Sequence, residues 1–296
     1  MKTSGKILCV VAGLLVLGVV VGGNGSENST TGTVVTQSGT QTENEAIAVM
    51  EEKVIYEGHD VVIKTMGCED RGSSFDVKLY IENNSTFNFS FDAHSYAVNG
   101  IMVSNHFDNM IGGMRCDVAA GKKANTTLSI TRSVLNQYGI GAVRNLDLLI
   151  WVYDNDVSYK SFETEQLHLS TSFDDDTHDQ FVGEPVYEEK GITITYLGKD
   201  NHEYAFTVRN DTGNNLSFDA ENVTINNYTM DNMNLDFIRF DLLNNCETVL
   251  NISVDSDFYE MNQIDVIEQI EFTITVRPND QYEGKWNTGV VIVKCA

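Results

Sequence analysis

Ser90-Phe91-Asp92-Ala93 returns later in the chain as Ser217-Phe218-Asp219-Ala220, and almost everything beyond the N-terminal region can be laid out around these two copies. At one constant offset Leu79 aligns with Phe206, Ile81 with Val208, and Val98-Asn99-Gly100 with Ile225-Asn226-Asn227. A short insertion between Cys68 and Ser73 shifts the upstream matches, so that Tyr56-Glu57 meets Tyr187-Glu188 and Gly67 meets Gly198. A second length change brings Leu146, Leu148, Ile150 and Val152 opposite Ile270, Phe272, Ile274 and Val276, and Phe162 opposite Trp286. Both changes fall between apolar runs, where a surface loop absorbs them at little cost. Apolar positions kept in order while other positions drift predict one fold present twice.

The apolar runs alternate with polar residues. Phe75, Val77, Leu79 and Ile81 are separated by Asp76, Lys78 and Tyr80, and Leu146 to Val152 alternates again, a period-two signal for half-buried antiparallel strands. Turn chemistry lies between them at Asn83-Asn84-Ser85, Asp108-Asn109 and Ala120-Gly121-Lys122-Lys123. The two prolines, Pro185 and Pro278, fall at a domain start and a strand end, leaving the strand interiors unbroken. Val134 to Val143 reads as a helical turn crossing between sheets. The second copy repeats the plan through Ile192, Ile194, Phe206, Phe218, Ile252, Ile270 to Val276 and Val290 to Val293. About seven short strands in ~110 residues is the pattern of an immunoglobulin-like sandwich. The expected fold is therefore all-β, two tandem antiparallel sandwiches over residues 54–171 and 185–296, with Leu79, Phe91, Leu148, Phe206, Phe218 and Phe272 in their cores.

Residues 1–25 stand apart. Lys2 and Lys6 precede the apolar run Ile7 to Val21, the order of an export signal, and the run is short for a spanning helix. It is read as either a cleaved signal peptide or a retained N-terminal membrane anchor, the chain's one membrane attachment. Cys9 opens the apolar run rather than following it, which excludes a lipoprotein signal. Residues 26–53 are rich in Ser, Thr, Gly, Asn and Gln and read as a flexible tether, with a weak helical turn at Ala46 to Lys53. Residues 172–184 carry Asp174, Asp175, Asp176, Asp179 and Glu184, whose mutual repulsion predicts an extended link between separate beads.

The Val98-Asn99-Gly100 turn, the Ala119-Ala120-Gly121-Lys122-Lys123-Ala124 stretch, and Leu128, Leu135, Gly139-Ile140 and Leu146 to Val152 together resemble the immunoglobulin-like repeat domains of secreted and surface proteins of Firmicutes. The resemblance covers most of the first copy and more faintly the second, where Asn244-Asn245-Cys246-Glu247 replaces the Gly-Lys-Lys turn. It implies an extracellular two-sheet fold and carries no catalytic motif.

Formal charge is −24, which repels phosphate backbones and excludes nucleic acid as a partner. Two acidic groups, Asp174-Asp175-Asp176 with Asp179 and Asp154-Asn155-Asp156 with Glu163, contain oxygen ligands of the kind calcium takes, but neither has the spacing of a calcium loop. They read as solvated linker and turn charges. Cys68 with Cys116 and Cys246 with Cys295 are the within-domain disulfide pairings that export permits, and free thiols are the alternative. His59, His94, His106, His168, His178 and His202 are scattered without metal-ligand spacing and read as surface residues. Asp92 and Asp219 recur and are the candidate acids of a hydrolase, or else outward residues bonded to the next turn. Tyr96, Phe107, Tyr138, Tyr153, Tyr159, Tyr228, Tyr259 and Tyr282 are candidates to stack on a sugar or a partner. These features together predict a non-enzymatic protein without cofactor or metal, extracellular or held at the outer membrane face. Its role is interaction or spacing, with an unknown protein or glycan as partner. The alternatives are a carbohydrate-binding or adhesion module using exposed aromatics, a calcium-dependent surface domain, and a hydrolase.

Overall fold

The computed structural model describes residues 47–104, 113–154, 160–175, 177, 179–200, 202–230, 239–278 and 284–295. Residues 47–296 form one compact unit. Its strands are, in the first half, β1 (Lys53–Gly58), β2 (Val61–Asp70), β3 (Ser74–Asn83), β4 (Phe89–Val98), β5 (Ile101–Ser104), β6 (Met114–Val118), β7 (Lys122–Thr131), β8 (Asn145–Asp154), β9 (Phe162–Glu163) and β10 (Leu167–Ser170). The second half contains β11 (Glu184–Glu189), β12 (Ile192–Asp200), β13 (Glu203–Asn210), β14 (Leu216–Ile225), β15 (Tyr228–Thr229), β16 (Arg239–Leu242), β17 (Cys246–Ser253), β18 (Gln269–Pro278) and β19 (Trp286–Lys294). One short helix precedes the long strand in each half, α1 (Arg132–Gln137) before β8 and α2 (Ser256–Asn262) before β18. The helical turn expected over Val134 to Val143 is thus placed earlier and ends before Gly139, whose φ of 71° is left-handed. Residues 47–52 form no helical turn, because Ala48 and Met50 are drawn into the core instead.

The fold is all-β and antiparallel within each half. One sheet has the order β1-β2-β3-β7 and its counterpart runs β11-β12-β13-β17. The facing sheets run β10-β8-β4-β5 and β19-β18-β14-β15. Register repeats as well as order. Phe91 lies opposite Val152 and Phe218 opposite Val276, Ile63 opposite Ile81 and Ile194 opposite Val208, Val152 opposite Phe162 and Val276 opposite Trp286. Two-residue turns with positive φ close equivalent hairpins, at His59-Asp60 and Lys190-Gly191 and again at Asn99-Gly100 and Asn226-Asn227. Such turns match the right-handed twist of the strands they join.

Two apolar clusters result. The first holds Phe75, Leu79, Phe91 and Leu148. The second holds Phe206, Phe218 and Phe272, and it also takes in Ala97, Met102 and Leu149 from the first half. The halves are not beads on a string: β5 pairs in parallel with β17 at Ile101 and Glu247, making one ten-stranded sheet that runs through both. Nor do the acids of the link hold it extended. Asp179 pairs with Arg144 at 2.6 Å and accepts a hydrogen bond from the Asn99 side chain at 2.9 Å, while Asp174 accepts one from Asn145 at 2.9 Å. Asp174, Asp175 and Asp179 thus have partners on the first half, and attraction at contact distance outweighs repulsion between neighbours that solvent screens.

The four cysteines Cys68, Cys116, Cys246 and Cys295 are free thiols, so neither expected disulfide is formed. Register explains this: Cys116 occupies the place of Phe240, opposite Phe91 as Phe240 is opposite Phe218, and Cys246 occupies the place of Lys122. They are substitutions at unrelated positions of the repeat. Among the described residues no helix is long and apolar enough to cross a membrane. The export segment and the tether up to residue 46 lie outside the described residues.

Candidate functional site

Polar groups that recur in both halves belong to the fold. Ser90 donates to Asp117 and Ser217 to Asp241, each at 2.5 Å, which gives the serine of the repeated tetrapeptide a structural role. Asn83 and Asn210 are fully buried at equivalent turns. Asn83 donates to the Phe87 and Val118 carbonyls, and Asn210 to those of Asn214 and Leu242. Their side-chain oxygens accept from the Ser85 and Thr212 backbones. Asn99 and Asn226 clamp the next loop in the same way, donating to Ala142 and Val266 and accepting from the Arg144 and Glu268 N–H groups. Thr164 and Thr288 accept from Ile150 and Ile274, both at 3.0 Å. Such groups satisfy buried backbone, which is why they recur in both halves.

Subtracting them leaves the surface in which the halves differ. On the outward side of β8, Trp151 is 39% exposed, and its ring lies 4.9 Å from that of Tyr153, which carries the Arg115 guanidinium 6.0 Å above it. His94 packs edge-on against Trp151 at 6.4 Å and meets the Glu163 carboxylate at 3.1 Å. Burial works against the charge on His94, but the Glu163 bond and charge and the nearby Asp92 outweigh it and raise its pKa. In the second half Thr275 and Arg277 stand where Trp151 and Tyr153 do, and Asp219 pairs with Arg239 and Arg277. Asp219 therefore bonds across the sheet face to two arginines rather than to the next turn, whereas Asp92 stands with Glu163 on the Trp151 face beside His94.

The seam between the halves is the other feature without a repeat. Ala97, Met102 and Leu149 are buried there, and Gln166 bridges Asp147 and the Asn244 carbonyl at 3.1 Å each. His168 Nδ1 lies 3.0 Å from Asp147, and its Nε2 lies 3.3 Å from Ser170 Oγ and 3.6 Å from Asp174. The order Ser-His-Asp looks like an acyl-transfer triad. Here the histidine is shared between two carboxylates, Asp147 and Asp174. The hydrogen bond to Asp147 raises the His168 pKa, burial opposes it, and the charges of Asp147 and Asp174 add to the rise. Across the seam Glu247 is 3% exposed, and burial pushes its carboxyl up against the smaller effects of Thr207 and the Phe181 N–H.

These shifts give a pH dependence with a definite sign. A raised His pKa stabilises the folded state fully below about 6.5, and that stability is lost as pH rises through the folded value. Glu247, also raised, loses its contribution upward from its ordinary range. His94 acts in the same sense. Tm is expected to fall between about pH 5 and about pH 8, and His168→Gln to flatten the slope. A Tm that rises over this interval would contradict the assignment.

The remaining candidates are dispersed. Tyr96 is fully buried and belongs to the first core; Tyr138 is partly buried against it and Tyr259 against the second, while Tyr228 is 45% exposed. Phe107, Tyr159, Tyr282, His106, His178, Asp156 and Asp176 lie outside the described residues. His94 is not the surface residue expected, being largely buried against Glu163, whereas His168 is exposed as expected and pairs there with Asp147 and Asp174. His59 stacks on Phe162 at 4.1 Å, and His202 meets Tyr259 edge-on at 5.1 Å. Among the described residues no three His, Cys, Asp or Glu side chains converge to hold a metal ion. Asp174, Asp175 and Asp179 instead contact Asn145, His168 and Arg144.

No family model matches the chain, and no curated protein matches it. Among solved structures, it is similar to red sea bream transglutaminase at 9% identity and a TM-score of 0.21, covering 88% of this chain and 34% of that one. It is also similar to a conserved domain protein from Bacillus anthracis at 10% identity and a TM-score of 0.25, covering 84% of this chain and 92% of that one. The chain thus spans about a third of the length of the transglutaminase.

Proposed function

We propose that the chain is a non-catalytic interaction protein acting outside the cell, with the Trp151 face of the first half as its ligand surface and the second half as a spacer joined to it. The observation that carries this reading is the pair of aromatic rings Trp151 and Tyr153 beside Arg115 on an outward sheet face, replaced in the other copy of the repeat by Thr275 and Arg277 while the arginine is kept as Arg239. Aromatic rings and Arg are the residue types that dominate binding energy at interfaces. The export-type run Ile7 to Val21 supports the location. A saccharide is the second reading, favoured by aromatic faces flanked by the carboxylates of Asp92 and Glu163 and by His94, which supply both stacking and hydrogen bonds.

A glycan and protein array probed with the chain tests both. Trp151→Ala is expected to weaken binding roughly tenfold or more while leaving Tm nearly unchanged, since the ring is partly exposed. Binding that survives this substitution undiminished would remove the face from consideration.

A further inference from the structure

The seam joins two unlike parts of the repeat: the front turn Asn99-Gly100-Ile101 of the first half meets the outer edge of β17 in the second. The Gly100 carbonyl accepts from the Glu247 N–H at 2.7 Å, and Ile101 pairs with Glu247 in the sheet. Because the fold occurs twice, each partner has a counterpart elsewhere that this contact leaves unused. The counterpart of the turn is Asn226-Asn227-Tyr228, which borders an open cleft of about 790 Å³ lined also by Val266, Glu268 and Gln269. The counterpart of the β17 edge is β7, the terminal strand of its sheet, where Lys122 and Lys123 are exposed.

We propose that the chain associates head to tail with a second copy of itself, the Asn226-Asn227-Tyr228 face of one copy docking on the β7 edge of the next. Charge favours it. Lys122 and Lys123 stand where the second half has Cys246 and Glu247, as their pairing with Asn83 and Glu82 and that of Cys246 and Glu247 with Asn210 and Arg209 shows. Around the docking turn the change has the opposite sign: Glu268 replaces Arg144, each donating its N–H to the clamp asparagine, and Glu268 shares the cleft lining with the exposed Asp265. On a chain of net charge −24, Lys122 and Lys123, the latter also paired with Glu82 at 3.1 Å, thus meet Asp265 and Glu268 in a cleft whose lining also includes Lys294.

The apolar part of the contact has moved rather than vanished. Thr224, Thr229 and Thr273 replace the seam residues Ala97, Met102 and Leu149. On the neighbouring strand Val290 and Ile292, 62% and 50% exposed, replace Gln166 and His168, and Tyr228 at 45% replaces Ile101. With less apolar area than the seam, the contact is weaker and salt-sensitive. Being heterologous, it leaves a free face at each end and generates open chains rather than closed dimers.

This inference goes beyond the ligand surface proposed above and stands apart from it, since none of its residues lies on the Trp151 face. Sedimentation velocity on the full chain, from micromolar to near-millimolar concentration, tests it. The weight-average mass is expected to climb past that of a dimer without a plateau and to fall on adding salt. Lys122→Glu with Lys123→Glu, and separately Asp265→Lys with Glu268→Lys, should each abolish the climb, and an equimolar mixture of the two variants should restore association. These are exposed positions, and an unchanged circular dichroism spectrum shows that the variants fold. A mass independent of concentration, a plateau at the dimer, or variants that associate like the parent chain would each overturn the proposal.

Discussion

Replacing Phe91 or Phe218 with Ala is expected to lower the unfolding free energy by ~3–5 kcal/mol. Both side chains are fully buried at equivalent register positions, each one residue before the repeated aspartate. Phe91 meets Phe89 edge-on at 6.4 Å, and Phe218 stacks on Phe240 with centroids 4.8 Å apart. Truncation removes the transfer free energy of the ring and leaves a cavity that a sheet backbone, tied by hydrogen bonds on both sides, cannot close. Urea denaturation measures the loss. A change under about 1 kcal/mol would show that the ring is not in a core at all. Because Ala97, Met102 and Leu149 are packed into the cluster around Phe218, loss of that ring is expected to loosen the seam as well, which limited proteolysis of the link near Val182, 94% exposed, would detect.

Asn210→Ala is expected to cost ~2–4 kcal/mol, more than deletion of a typical surface polar group. The side chain is fully buried, donates to the Asn214, Leu242 and Leu243 carbonyls, and accepts from the Thr212 N–H and hydroxyl. Removing it leaves those groups without their partner in a place water does not reach, and an orphaned buried group costs its full desolvation. Asn83→Ala should behave alike, since Asn83 holds Phe87, Val118 and Ser85 in the same pattern. The check is a pair of denaturation curves set against Asn84→Ala, an exposed neighbour whose loss should be within about 0.5 kcal/mol. Equal, small losses at all three positions would refute the clamp.

Both clamps could have been found in the sequence. Asn83-Asn84-Ser85 aligns with Asn210-Asp211-Thr212, and an asparagine followed two positions later by a hydroxyl residue, at matching ends of matching strands, is a recurrence that turn preference alone does not require. Read as generic turn chemistry, it concealed that the asparagine points inward. Trp151 and its neighbours were harder to find. Alternation places Trp151 and Tyr153 on the outer side of β8, but Arg115, His94 and Glu163 join them from three other strands, and no linear spacing records that meeting.

Strand identity and duplication were legible because side-chain alternation is a local property: a residue's face follows from its parity along the strand and survives any amount of surface drift. The equivalence of Phe91 with Phe218 and of Phe162 with Trp286 needed nothing more. The seam and the contacts of Asp179 with Arg144 and of Asp174 with His168 were decided by tertiary structure alone. The seam depends on how one half is set against the other and the two ion pairs on how the link lies along the first half, both fixed by the shape and charge of surfaces whose partners are not neighbours in the chain. The acidic link shows the difference best: by composition it should stand extended, and contact with a folded neighbour gives its charges better company than solvent does.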